Sequence, residues 1–162
     1  MPDSLYDRDI LVWCDQQAEQ LRRLAAGERP NAPIDWENVI EELESVGRSE
    51  LRSCASLLRQ AIVHLMKLAI WPDKSSAEHW RDETYVFLRD TQQAFTPSMR
   101  ERLDLAREYR AAMIELNRKS EHGRVGPWLP QTCPYTLDDL LDPDLTVEAL
   151  VVRLGTAGSA GQ

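Results

Sequence analysis

Missing from these 162 residues are a Cys-x-x-Cys pair, a phosphate-cradling glycine loop, a recognisable nucleophile motif and a Glu-x-x-His pair of the di-iron kind. The three cysteines, Cys14, Cys54 and Cys133, are odd in number and far apart. That argues against a disulfide framework and a structural zinc site, and it fits a reducing cytoplasm. The chain also lacks a membrane span: its most apolar window, residues 54–71, includes Arg59, Gln60, His64 and Lys67, whereas crossing a bilayer takes roughly 20 nearly uncharged residues. The opening Met-Pro-Asp-Ser-Leu-Tyr-Asp is acidic with no apolar run behind it, so it does not read as a secretory signal. No stretch alternates apolar and polar residues for long enough to make a strand, and no internal repeat is visible.

What is present has the balance of an ordinary globular domain, with 43% hydrophobic and 28% charged residues. The length suffices to bury one core without staples. A net charge of −8 disfavours nucleic acid, whose binding draws on lysine and arginine. The charge is uneven: residues 1–50 hold 5 basic and 12 acidic groups, residues 51–125 hold 13 and 10, and residues 126–162 hold 1 and 5.

Periodicity predicts an all-α fold, a bundle of about five main helices around a central apolar one. Ser4 caps a first helix to about Ala26, with Tyr6, Ile10, Trp13, Gln17, Leu21 and Leu24 at spacings of three and four. Asp35 caps a second, with Trp36, Val39, Ile40, Leu43 and Val46 on one side, and Gly47 kinks or ends it. The third, residues 49–71, carries Leu51, Cys54, Leu58, Ile62, Leu65 and Ala69 with Leu57, Ala61 and Leu68 beside them. More than half its circumference is apolar, which marks it as the central helix. Pro72 stops it. A fourth helix aligns Trp80, Thr84, Phe87, Leu88, Thr91 and Phe95, and a fifth runs from Pro97 to about Lys119. Residues 120–135, rich in glycine and proline, suit an extended surface segment anchored by Trp128. Thr136 caps a short helix over Leu137–Leu141. The domain is expected to span residues 1–145, with a weak helix and flexible tail over 146–162.

Several of these segments together resemble the bacterial family called domain of unknown function 29, over most of residues 5–142. The segments are Tyr6-Asp7 with Trp13, Gln17, Ala18, Leu21 and Arg22; Ile40-Glu41-Glu42-Leu43-Glu44 followed by Gly47-Arg48-Ser49-Glu50; His64-Leu65-Met66-Lys67; Trp80-Arg81; and Cys133-Pro134-Tyr135-Thr136 with Leu140-Leu141-Asp142. The chain departs from that pattern at His79 and Thr84. The resemblance implies an all-helical fold and brings no substrate, cofactor or catalytic residue with it.

The candidate chemistry lies in Glu41, Glu42 and Glu44 of the second helix facing His64 and Lys67 of the third, if the two pack antiparallel. Carboxylates and an imidazole directed into a bundle suit a divalent metal or an acid/base pair. At 100° per residue, however, Glu37, Glu41 and Glu44 lie opposite Val39, Leu43 and Val46, and only Glu42 borders the apolar stripe. A structural ion pair explains the cluster more simply. His79, near a helix start, and His122, in a loop, read as surface groups. Arg89, Arg100, Arg107, Arg110 and Arg118 would make an anion-binding face if Glu101, Asp104 and Glu108 did not interleave with them, the pattern of a salt-bridged helix surface. Cys133 lacks an activating neighbour and reads as packed. Five tryptophans suit core packing, or a dimer seam where an apolar strip stays uncovered. The leading expectation is therefore a non-enzymatic cytoplasmic protein acting through a protein partner or homo-oligomer, with no cofactor. The alternative is a metal-dependent or acid/base enzyme using Glu42 and His64 with Glu41 and Lys67.

Overall fold

The structure, a computed structural model, describes residues 4–119 and 129–159. Among these residues there is no strand, and seven α-helices account for most of the chain. They are α1 (Leu5–Arg8), α2 (Ile10–Ala25), α3 (Trp36–Ile70), α4 (Ala77–Ala94), α5 (Leu105–Lys119), α6 (Leu137–Leu141) and α7 (Val147–Ser159), with a 3-10 turn at Pro97–Met99. None is long and apolar enough to cross a membrane. Two compact units divide the chain, Met1–Ser49 and Glu50–Gln162.

Helix boundaries follow side-chain chemistry. Ser4 caps α1 in a capping box with Asp7. The single first helix expected from periodicity is broken at Asp9, whose carboxylate accepts from the Val12 amide at 3.1 Å and starts α2 afresh. Asp104 does the same to the expected fifth helix, accepting from the Arg107 amide at 2.9 Å. α5 therefore begins at Leu105, after the Pro97–Met99 turn. In both places a short carboxylate competes for backbone donors that an unbroken helix would use. At the other end of α2, Gly27 adopts φ +76°, and the Gly27 and Glu28 amides donate to the carbonyls of Leu24 and Arg23. That is a Schellman closure, which needs the left-handed conformation glycine tolerates.

The first unit is held largely by polar clamps. Trp13 and Val39 are its buried apolar residues, joined by Gln17 and Gln20. The Asp35 amide donates to Gln17 Oε1 at 2.8 Å, the Trp13 indole donates to Asp35 Oδ2 at 3.2 Å, and Gln20 Oε1 accepts from the Asn31 and Ala32 amides. Asp35 also caps α3, accepting from the Asn38 amide and, at 2.7 Å, from the Asn38 side chain. These bonds, the Asn38 side chain foremost, hold the Asp35 carboxyl below the ordinary carboxylate value.

The second unit carries the core. Cys54, Leu58, Ala61, Ile62 and Leu65 of α3 are fully buried and pack with Leu88 of α4, Tyr109, Ala112 and Leu116 of α5, Leu140 of α6 and Leu150 and Leu154 of α7. The apolar helix expected at residues 49–71 is thus the core of this unit, but as the second part of α3 rather than a separate helix. Thr84 and Thr91 sit among the apolar side chains because each hydroxyl donates to the carbonyl four residues earlier, at 2.6 and 2.7 Å. Leu129 and Tyr135 are buried, and the Tyr109 and Tyr135 hydroxyls donate to the carbonyls of Pro130 and Leu150. These contacts anchor the connecting segment; Trp128 and His122 lie outside the described residues. The C-terminal helix expected to be weak runs to Ser159 and buries Val147, Leu150 and Leu154.

Gly47 does not end a helix; α3 passes through it. A Cβ there would meet nothing within 4 Å. A mid-helix glycine costs about 1 kcal/mol relative to alanine, and nothing inside the described chain requires it.

Because the Asp35 carboxylate is at once the α3 cap and the acceptor of the Trp13 indole, Asp35→Ala should destabilise the protein by about 1–2 kcal/mol in urea unfolding. Glu28→Ala, an exposed control on the same loop, should shift it by less than about 0.5 kcal/mol.

Candidate functional site

The merger of the two expected helices into α3 separates the candidate residues. Glu42 and His64 stand 22 positions apart on one helix, with no turn between them. The antiparallel pairing that would have brought them together does not occur. Glu42 instead accepts from the Tyr6 hydroxyl at 2.6 Å, a bond that helps push the phenol up to about 12. Glu41 is exposed, and Glu44 pairs with Arg48 at 3.4 Å. These carboxylates are occupied with local structure.

His64 has different neighbours. Its Nδ1–H donates to the Gln60 carbonyl at 2.8 Å, leaving Nε2 to face Lys67 Nζ at 3.3 Å and Glu83 Oε2 at 2.9 Å. The imidazole is buried against Phe87, with ring centroids 5.4 Å apart, and Lys67 lies over the Trp80 ring. Burial, reinforced by the Lys67 charge, outweighs the Gln60 and Glu83 contacts and holds the His64 pKa below the ordinary value. Nε2 thus lies between a cation, Lys67, and a carboxylate, Glu83. Glu83 also reaches His79 at 3.4 Å. Lys67 joins His64 as expected, while Glu83, the residue that completes the group, was missed because its approach depends on how α4 packs on α3.

Among the described residues no group of three or more His, Cys, Asp or Glu side chains is placed to hold a metal ion. Cys133 is half-buried near the Tyr135 carbonyl, and desolvation raises its thiol pKa, which suppresses the thiolate. The arginine face differs from expectation too. Glu108 is buried against Arg59 at 3.6 Å, Asp104 is spent on its helix start, and Arg100 pairs with Asp138 at 2.7 Å.

The largest departure concerns the apolar stripe of the second expected helix. Trp36, Ile40, Leu43 and Val46 are 52%, 53%, 70% and 60% exposed. Trp36 with Leu24, Ile34 and the two prolines Pro30 and Pro33 borders a shallow hollow of about 520 Å³. On the same face of α3, at the same helical angles, Cys54, Leu58, Ala61 and Leu65 are fully buried. The apolar periodicity was legible, but not its lack of cover.

A family model described as "Domain of unknown function DUF29" matches residues 5–146. The chain belongs to the DUF29 family. No curated protein matches it. Among solved structures, an alpha-helical protein of unknown function from Rhodospirillum rubrum ATCC 11170 is similar at 32% identity and a TM-score of 0.66, over 94% of this chain and 99% of that one. The DUF29 assignment agrees with the resemblance read from the segments above, and the neighbour with the all-α fold. Neither carries an assigned activity.

The depressed His64 pKa has a defined consequence for stability. Folding favours the neutral ring, so this contribution is present above the unfolded value near 6.5 and is lost as pH falls through the lower folded value. Stability measured in urea should fall as the pH is lowered from about 7.5 through the unfolded value, and His64→Gln should flatten that slope; an unchanged slope would mean that the ring does not titrate with folding.

Proposed function

We propose that this DUF29 protein acts by binding another polypeptide through the uncovered stripe Trp36, Ile40, Leu43 and Val46, and that it does so in the cytoplasm. The observation that carries the reading is that one face of α3 is bare along its first turns and fully buried further on. Contiguous exposed apolar surface of this kind, rimmed by polar groups, marks protein contact sites. The other side of the same turns carries Glu37, Glu41 and Glu44, whose charge disfavours nucleic acid and anionic lipid as occupants. A scarcity of buried apolar residues in the first unit supports the same reading, since such a unit gains most from being covered. Three free thiols suit a reducing compartment.

The test is the native mass of the protein isolated gently from its own cells, as wild type and as Leu43→Glu. The wild type should carry a second polypeptide chain, of its own kind or another, that the variant loses while its helical circular dichroism is unchanged. A wild-type protein that is alone, or whose only companion is a stoichiometric metal ion or small molecule, would sink the proposal.

A further inference from the structure

We infer that the occupant of this stripe is a second copy of the same chain, its α3 laid antiparallel on the first and related to it by a two-fold axis. The inference rests on the interaction reading above and names its partner.

The first argument comes from Gly47. It lies on the bare face, one to two turns beyond Ile40 and Leu43, in helical conformation and with open space where its Cβ would be. A helix interior gains nothing from glycine unless another backbone or a large side chain comes close. Among the described residues nothing comes within 4 Å of where its Cβ would be. A two-fold axis passing near Leu43 and Glu44 places Ile40 of each copy over Gly47 of the other, so that the exposed bulk and the missing bulk on one stripe fit each other twice.

The second argument is charge. The polar side of these turns reads Glu37, Glu41, Glu44 and then Arg48, with Arg48 paired to Glu44 at 3.4 Å within one copy. Antiparallel pairing about the same axis brings Arg48 of each copy to the level of Glu37 and Glu41 of the other, which parallel pairing does not. The third is area. Trp36, Ile40, Leu43, Val46 and Leu24 together expose on the order of 500 Å² per copy, so a symmetric pair removes about 1,000 Å² from water, the lower bound for a specific interface. A modest, concentration-dependent dimer follows.

Sedimentation equilibrium on the purified full chain, from about 1 to about 100 μM, tests this directly. The apparent mass should rise from 18.6 kDa toward twice that value. Leu43→Glu should stay monomeric throughout. Gly47→Met adds a good helix former where its own copy leaves space, so it should keep or raise the thermal midpoint yet weaken association at least tenfold. Arg48→Glu should also weaken it, and adding Glu41→Arg should restore it, a rescue that parallel pairing would not give. A wild type that stays monomeric at the highest concentration, or a dimer that tolerates both Leu43→Glu and Gly47→Met, overturns the second-copy assignment. If the purified protein is monomeric while the native complex contains a different polypeptide lost in Leu43→Glu, only the identity of the partner fails and the interaction surface stands.

Discussion

The hydrogen-bond ladder of α3 runs through Gly47 without a break, and the position of nearly every candidate group follows from that continuity. Local propensity opposes it: a glycine between Val46 and Arg48, followed by two serines within six residues, is where a helix would readily stop. With no proline there and no left-handed φ, the backbone instead completes the ladder and carries its apolar face from Trp36 to Leu65 at one set of angles.

The energetic contrast along that face is large. In the second unit, burying each large aliphatic side chain contributes about 1.5–3 kcal/mol, and four helices besides α3 supply the cover. The first unit relies on directional bonds converging on Asp35, Gln17 and Gln20, each worth roughly 0.5–1.5 kcal/mol net, and leaves Trp36, Ile40, Leu43 and Val46 in water. A sequence that keeps tryptophan, isoleucine, leucine and valine exposed on four successive contact positions bears a solubility cost, which association offsets.

The buried imidazole illustrates why an isolated titratable group need not be catalytic. His64 is oriented by Gln60, contacted by Lys67 and Glu83 and covered by Phe87. Each feature also belongs to an active site, but here every polar atom of the ring is already engaged, and the carboxylates that would have supplied a second function bond to Tyr6 and Arg48 instead. Ion pairs of this sort perturb titration while serving packing.

Read from residues alone, helical class, the caps at Ser4, Asp35 and Thr136, the short helix at Leu137–Leu141 and the buried run from Cys54 to Leu65 were determined, because caps and 3.6-residue periodicity are local properties of the chain. The resemblance to DUF29 was legible on the same scale, in short runs of neighbouring residues. The added breaks at Asp9 and Asp104 were not, since an aspartate's choice between helix and cap depends on which backbone donors the surroundings leave open. Tertiary structure alone decided that Glu42 and His64 stay apart, that Glu83 completes the histidine's contacts, and that Trp36, Ile40, Leu43 and Val46 lack cover. Periodicity states which side chains share a face; whether another element reaches that face is a property of the packing, and no count along the chain contains it.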